Sequence, residues 1–399
     1  MEKLQYIANF EKLGMGLFVH FGLYSIVGKG EWYKDFYHVE MKDYEPLINK
    51  FKIKKTWAKE LVATAKKAGA KYINITTRHH DGFSLFDTCG LSDFDVMHSP
   101  TGRDLMREFV DECNKAGIVP FFYHTLLDWH HPDFNNNFPA YLVYLRKSIE
   151  ILCTNYGKIG GLWFDGMWSK PNDDWEEDAL YAVIRKHQPE AMIINNTGLS
   201  AHGKTGHKEI DSVTFERGNP AFVDYSEKYV AGEMCQVLND HWGYAKEDLN
   251  YKSVGELVGN LVDCRRYNCN FLLNTGLMGN GSVRPLDKAI LTELGNWIKT
   301  NKNLIYEWQS CDVQAENAFC LTDGKYYYAI CQNVGMAADP NVGLGNDEKT
   351  VKILSNKKVK NARWLDNGER FRVKKNAFQA KPFKYGYSKN YRVARFELK

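Results

Sequence analysis

From residue 15 to residue 276 the chain alternates short β-rich runs with longer amphipathic stretches, and no other feature of the sequence limits the fold as tightly. Eight runs read as strands: GMGLFVHFG (15–22 at its core), KYINITTR (71–78), VPFFYHTL (119–126), GLWFDG (161–166), MIINNT (192–197), SVTFE (212–216), GEMCQVL (232–238) and CNFLLNTG (269–276). Helical periodicity marks 56–68, 101–116, 138–156, 177–188, 253–266 and 288–303. Thr101 followed by Asp104 reads as a capping signal, and KKAGA and NKAGI each end a helix on glycine. Strands that alternate with helices run parallel. Eight of them predict an α/β fold of the (β/α)8 TIM-barrel kind, irregular between strands six and seven, where no helix is evident. The competing doubly wound sheet would need a GxGxxG turn after its first strand, and none is there.

Beyond about residue 305 the texture changes. KYYYAICQNV, KTVKILS, ARWLD, RFRVKK and YRVARFEL are short alternating strands separated by turn residues, the pattern of an antiparallel β-sandwich. The expected domains are therefore a barrel over 1–305 and a smaller β-sandwich over 306–399. Charge divides the same way: residues 349–399 hold 16 Lys/Arg against 3 Asp/Glu, leaving 36 against 46 for the rest. A basic end of this kind suits solvated strand faces or docking on an acidic partner domain better than nucleic acid.

Nine cysteines are scattered without CxxC spacing, no apolar run approaches the ~20 residues that span a bilayer, and the first residues carry no signal-peptide pattern. The expectation is a cytoplasmic protein without membrane or nucleic-acid partners, or a secreted one if a signal peptide was trimmed. A homo-oligomer is compatible with everything in the sequence.

Barrel enzymes place their chemistry at the C-terminal ends of the strands. Here those ends carry His20, His79-His80-Asp81, Tyr123, Trp163 and Asp165, Asn195 and Asn196, and Glu216. Alternation sets Trp163 and Asp165 on one face of their strand, opposite Leu162 and Phe164. The same rule puts Ser212, Thr214 and Glu216 on one face of theirs. An acid beside tryptophan at a strand end is costly unless paired, hydrogen-bonded or used. Asp165 could cap the next helix, and Glu216 could pair with Arg217. Two carboxylates facing one cleft from different strands are also what glycoside hydrolysis requires. The histidines at 79–80, 124 and 130–131 invite a metal reading, but there is no HxH or HExxH spacing, so no metal is expected.

GMGLFVHFGLYSIVGKGEWY (14–33), KYINITTRHHDGFSLFDT (71–88), GLWFDG (161–166) and NFLLNTGLMGNGSVRP (270–285) resemble the α-L-fucosidases of glycoside hydrolase family 29, as do GRDLMREFVDECNKAGI and LNDHWGY. The resemblance runs through residues 10–305 and implies a retaining mechanism on a (β/α)8-like barrel followed by a β-sandwich, with no cofactor. Carried over by motif, Asp165 corresponds to the nucleophile, and His20, Glu31, Trp32, His79 and His80 to fucose-binding residues, with Tyr123 and Trp163 completing the pocket. The position of the acid/base residue varies in the family. Glu216 is the best match here, with Glu209 and Glu233 behind it. One departure is Thr197, which stands where some members have an arginine, so one contact must be made differently.

The reading is a retaining exo-α-L-fucosidase acting on terminal fucose of oligosaccharides or glycoconjugates. Its rivals are a retaining glycosidase for a related sugar such as galactose, a sugar-binding protein without catalysis, and a metal-dependent barrel hydrolase.

Overall fold

A computed structural model describes residues 3–224, 228–335 and 349–399. Eight strands form a closed parallel barrel in chain order: β1 Met15–His20, β2 Tyr72–Arg78, β3 Val119–Thr125, β4 Gly161–Asp165, β5 Met192–Asn195, β6 Ser212–Glu216, β7 Ala231–Val237 and β8 Cys269–Gly276, with β8 pairing back onto β1. Apart from a few residues at their ends the strands are buried on both faces, as parallel strands covered by helices must be.

Inward-facing residues fill the barrel. Phe18, Tyr72, Phe121, Tyr123, Trp163, Ile194 and Leu272 form one cluster, joined from below by Ile7 and Phe10 of the helix Gln5–Leu13. That helix is absent from the sequence reading. Phe10 meets Tyr72 and Phe121 at ring distances of 5.7 Å, and its carbonyl accepts from the Asn270 amide at 2.7 Å. The lower end of the barrel is thus a packed aromatic plug, and only the upper end is open to chemistry.

Helix boundaries shift for local reasons. The helix expected from 101 begins at Leu105, because Asp104 is its N-cap and accepts from Arg107 N at 3.0 Å. Thr101 instead ties down the preceding loop through Phe51 O and Ile53 N. Gly69 and Gly117 do end their helices in the left-handed conformation. No helix lies between β6 and β7 among the described residues, and none between β5 and β6 either.

The chain separates into two compact units, 1–252 with 270–292 and 253–269 with 293–399. The helix Val254–Arg266 and the second half of Pro285–Thr300 thus group with the C-terminal residues, across the expected boundary at 305. Among its described residues the second unit holds eight antiparallel strands: β9 Gln309–Ser310, β10 Gln314–Glu316, β11 Ala318–Thr322, β12 Tyr327–Val334, β13 Lys349–Leu354, β14 Val359–Trp364, β15 Ala377–Ala380 and β16 Asn390–Leu398. They make a five-stranded sheet (β14-β16-β12-β11-β9) and a three-stranded sheet (β10-β13-β15) around a core that includes Val351, Trp364, Phe378 and Phe396. RFRVKK forms no strand. It makes only isolated bridges through Arg370 and Lys374, while β9, β10, β11 and β15 have no counterpart among the expected strands. Most of the lysines of this unit are exposed, as solvated faces would have them. No helix among the described residues is long and apolar enough to cross a membrane, and none of the nine cysteines is in a disulfide.

Candidate active site

A cleft of about 800 Å³ opens at the C-terminal ends of the strands. Its walls carry all nine of the residues expected there: Asp165, Glu216, His20, Glu31, Trp32, His79, His80, Tyr123 and Trp163. Its volume lies within the ~300–1,000 Å³ of typical ligand pockets.

Asp165 closes β4 and points up from the barrel interior, one step above Trp163. The chain can turn away immediately after it because Gly166 adopts φ +99°. A Cβ there would lie 2.7 Å from Leu127 N, so only glycine fits. Three donors converge on the Asp165 carboxylate: Tyr123 Oη to Oδ2 at 3.0 Å, Trp168 Nε1 to Oδ1 at 3.0 Å and Asn196 Nδ2 to Oδ1 at 3.3 Å. An acceptor-only group is the right counterpart for such a set.

His80 stands 3.5 Å from Asp165 Oδ2 through Nε2. Its Nδ1 meets Thr125 Oγ1 at 2.7 Å, and that hydroxyl gives its own proton to Leu127 O at 2.5 Å. The network therefore assigns the ring proton to Nδ1 and turns the Nε2 lone pair toward the cleft. Burial lowers the pKa of His80 and, more strongly, of His79, and brings that of His20 down to about 3. The three imidazoles form a neutral wall, suited to hydroxyl groups and not to anions. His20 is fixed by Asn274 Oδ1 at 2.7 Å and lies beside Trp242 at 5.3 Å. Glu31, on the loop after β1, accepts from Gly243 N at 2.7 Å. Burial raises its pKa against the lowering effect of that amide.

Glu216 closes β6 and is followed by Arg217 at φ +63°, a left-handed turn like that after Asp165 but on a side chain that does not favour it. Burial is the main influence raising the Glu216 pKa. The nearby charge of Asp165 adds to it, and the Asn196 hydrogen bond opposes it. Arg217 comes no nearer than 3.9 Å, too far for the tight ion pair that would make Glu216 merely structural. Asn196 Nδ2 donates to Glu216 Oε2 at 2.9 Å as well as to Asp165, so one amide bridges the two carboxylates.

Glu209 and Glu233 do not line the cleft. Glu209 pairs with Arg185 at 2.9 Å. Glu233 shares the inward face of β7, but the β6–β7 register sets it opposite Thr214, one layer below Glu216. There it accepts from Tyr72 Oη and from Trp163 Nε1, at 2.9 Å for the latter, and burial raises its pKa to about 7. Thr197 lines the cleft, but its hydroxyl is turned to Ala201 O at 2.5 Å. His80 comes only within 3.5 Å of the Asp165 carboxylate, and Tyr123, Trp168 and the Asn196 amide make the bonds to it. Trp242 and Trp168 reach the cleft from loops, where strand periodicity gives no warning of them. Among the described residues no group of three His, Cys, Asp or Glu side chains is placed to hold a metal ion.

Two carboxylates on different strands of a parallel barrel, set in a cleft walled by indoles and neutral imidazoles, define a glycoside hydrolase. Comparison makes this specific. The model of the Alpha-L-fucosidase family matches residues 1–303, and the chain belongs to that family. It is 26% identical to human plasma alpha-L-fucosidase over 344 residues, 78% of this chain and 72% of that one. It is 24% identical to the alpha-L-fucosidase of Dictyostelium discoideum over 390 residues, 86% and 82% of the two. Its structure matches alpha-L-fucosidase isoenzyme 1 from Paenibacillus thiaminolyticus with a TM-score of 0.84 at 29% identity, covering 99% of both chains. The fold also matches a family 29 enzyme from Bacteroides thetaiotaomicron, solved as a trapped covalent intermediate with 2-fluoro-fucosyl fluoride. That TM-score is 0.82 at 22% identity, over 100% of this chain and 97% of the other.

Proposed function

We propose that this α-L-fucosidase is a retaining exo-enzyme that removes terminal fucose by double displacement, with Asp165 as nucleophile and Glu216 as acid/base. The observation that carries the reading is the Asn196 bridge. Its bonds of 2.9 and 3.3 Å hang both carboxylates on one amide nitrogen, a closeness that suits the roughly 5–5.5 Å of a retaining pair better than the roughly 6.5–9.5 Å an inverting pair needs for its water. Asp165 attacks the anomeric carbon while Glu216, whose pKa burial raises, gives its proton to the departing oxygen. Glu216 then takes a proton from water, which releases fucose from the Asp165 ester. The neutral imidazoles and the His80 Nε2 lone pair receive sugar hydroxyls, and the plugged barrel floor makes the pocket blind, which favours a chain end. The covalent intermediate trapped in the Bacteroides enzyme supports the same course.

The test is to incubate the enzyme with 2-fluoro-fucosyl fluoride and map the labelled peptide by mass spectrometry. Label is expected on Asp165; label on Glu216, or no label with inverted product, overturns the assignment. In the Glu216→Ala variant, substrates with poor leaving groups should lose far more activity than activated aryl fucosides, and azide should rescue the latter as α-fucosyl azide, because it attacks the β-linked fucosyl-enzyme from the vacated side.

A further inference from the structure

Part of the cleft wall, around Lys29, Phe36, Tyr37 and Leu199, lies outside the machinery described so far. Thirteen large hydrophobic side chains are exposed among the described residues, and four of them meet at this one mouth: Phe36 (73% exposed), Tyr37 (59%), Leu199 (67%) and Trp168 (41%). Soluble proteins rarely group such side chains without a ligand or partner to cover them. The grouping is ordered. Trp168, whose indole donates to Asp165, stacks on Trp32 at 6.0 Å and 25°, and Trp32 leans on Phe36 at 5.7 Å. An aromatic wall therefore runs without a break from the nucleophile outward. Beyond it the Lys29 ammonium sits 4.4 Å over the Tyr37 ring and fixes that ring.

We propose that Phe36 and Tyr37 form a platform for the sugar ring to which fucose is attached, so that this chain is built for fucosyl oligosaccharides. The proposal rests on the fucosidase reading above. The chemistry follows from position and character. Whatever departs from the anomeric carbon must leave along the open side of the cleft, and there it meets exposed ring faces. The C–H faces of a pyranose cover such rings, while its hydroxyls remain in water. A small leaving group such as fluoride reaches none of this wall.

The experiment compares kcat/KM on a fucosylated lactose trisaccharide and on α-L-fucosyl fluoride, for the wild type and for a Phe36→Ala/Tyr37→Ala double variant. Both side chains are exposed, so the fold should survive. The ratio of trisaccharide to fluoride activity is expected to fall about tenfold or more, chiefly through KM of the trisaccharide, and Phe36→Trp should retain it. A ratio that falls less than about fivefold, because both substrates suffer alike or neither does, overturns the platform. Wild-type enzyme that hydrolyses neither compound would instead refute the fucosidase reading itself.

Discussion

Removing the Asn196 side chain should weaken catalysis by a limited and calculable amount and move its pH dependence in one direction. The amide donates to Glu216 at 2.9 Å and to Asp165 at 3.3 Å, and its oxygen accepts from Thr214 Oγ1 at 2.9 Å. In Asn196→Ala, Asp165 keeps Tyr123 and Trp168, so the loss falls mainly on Glu216, whose nearest remaining cation is Arg217 at 3.9 Å. A hydrogen bond to a charged group is worth about 1.5–3 kcal/mol, and Glu216 is only partly charged when the leaving group departs. A cost of roughly 1–2 kcal/mol, or about five- to thirtyfold in kcat/KM, follows. The amide favours the ionised form of Glu216 and so lowers its pKa; without it, only Arg217 still opposes burial and the Asp165 charge. Glu216 then stays protonated to higher pH, and the alkaline limb of kcat/KM moves upward. The assay is a pH–rate profile on a fucosylated disaccharide, with circular dichroism to check the fold. An alkaline limb that stays put or moves down would refute the reasoning, as would an unchanged rate.

Gly166→Ala places a Cβ 2.7 Å from Leu127 N at a φ of +99°, so a loss of about 2–4 kcal/mol in folding stability is expected, read as a lower denaturant midpoint; a loss under about 1 kcal/mol would show that the turn relaxes easily. Glu233, with its pKa raised to about 7, binds its proton more tightly folded than unfolded, so it weakens stability as pH climbs from about 4.5 to about 7, by at most about 3 kcal/mol. Glu233→Gln should flatten that slope in stability measured against pH, and a slope unchanged from wild type would place the titration elsewhere.

Much of the barrel was legible because it is written in local pattern. Period-two alternation and helical periodicity are properties of adjacent residues, so β6 and β8 were read to their ends, and Asp165 and Glu216 were correctly set on the inward face. The motifs around His20, His79 and Trp163 likewise named residues that do meet in the cleft. Alternation fixes which side of a strand a residue faces, but not its height in the barrel. Glu216 and Glu233 both face inward; the pairing of Glu216 with Cys235 and of Thr214 with Glu233 puts one in the cleft and the other in the core. Only the stagger of a closed sheet decides that, since it depends on all the strands at once. For the same reason the Asn196 bridge, the arrival of Trp168 and Trp242, and the plug of Ile7 and Phe10 belong to the tertiary structure. Apart from the bond of Trp168 to Asp165, three residues away, each joins residues far apart in the chain, and no short-range pattern encodes the distance between them.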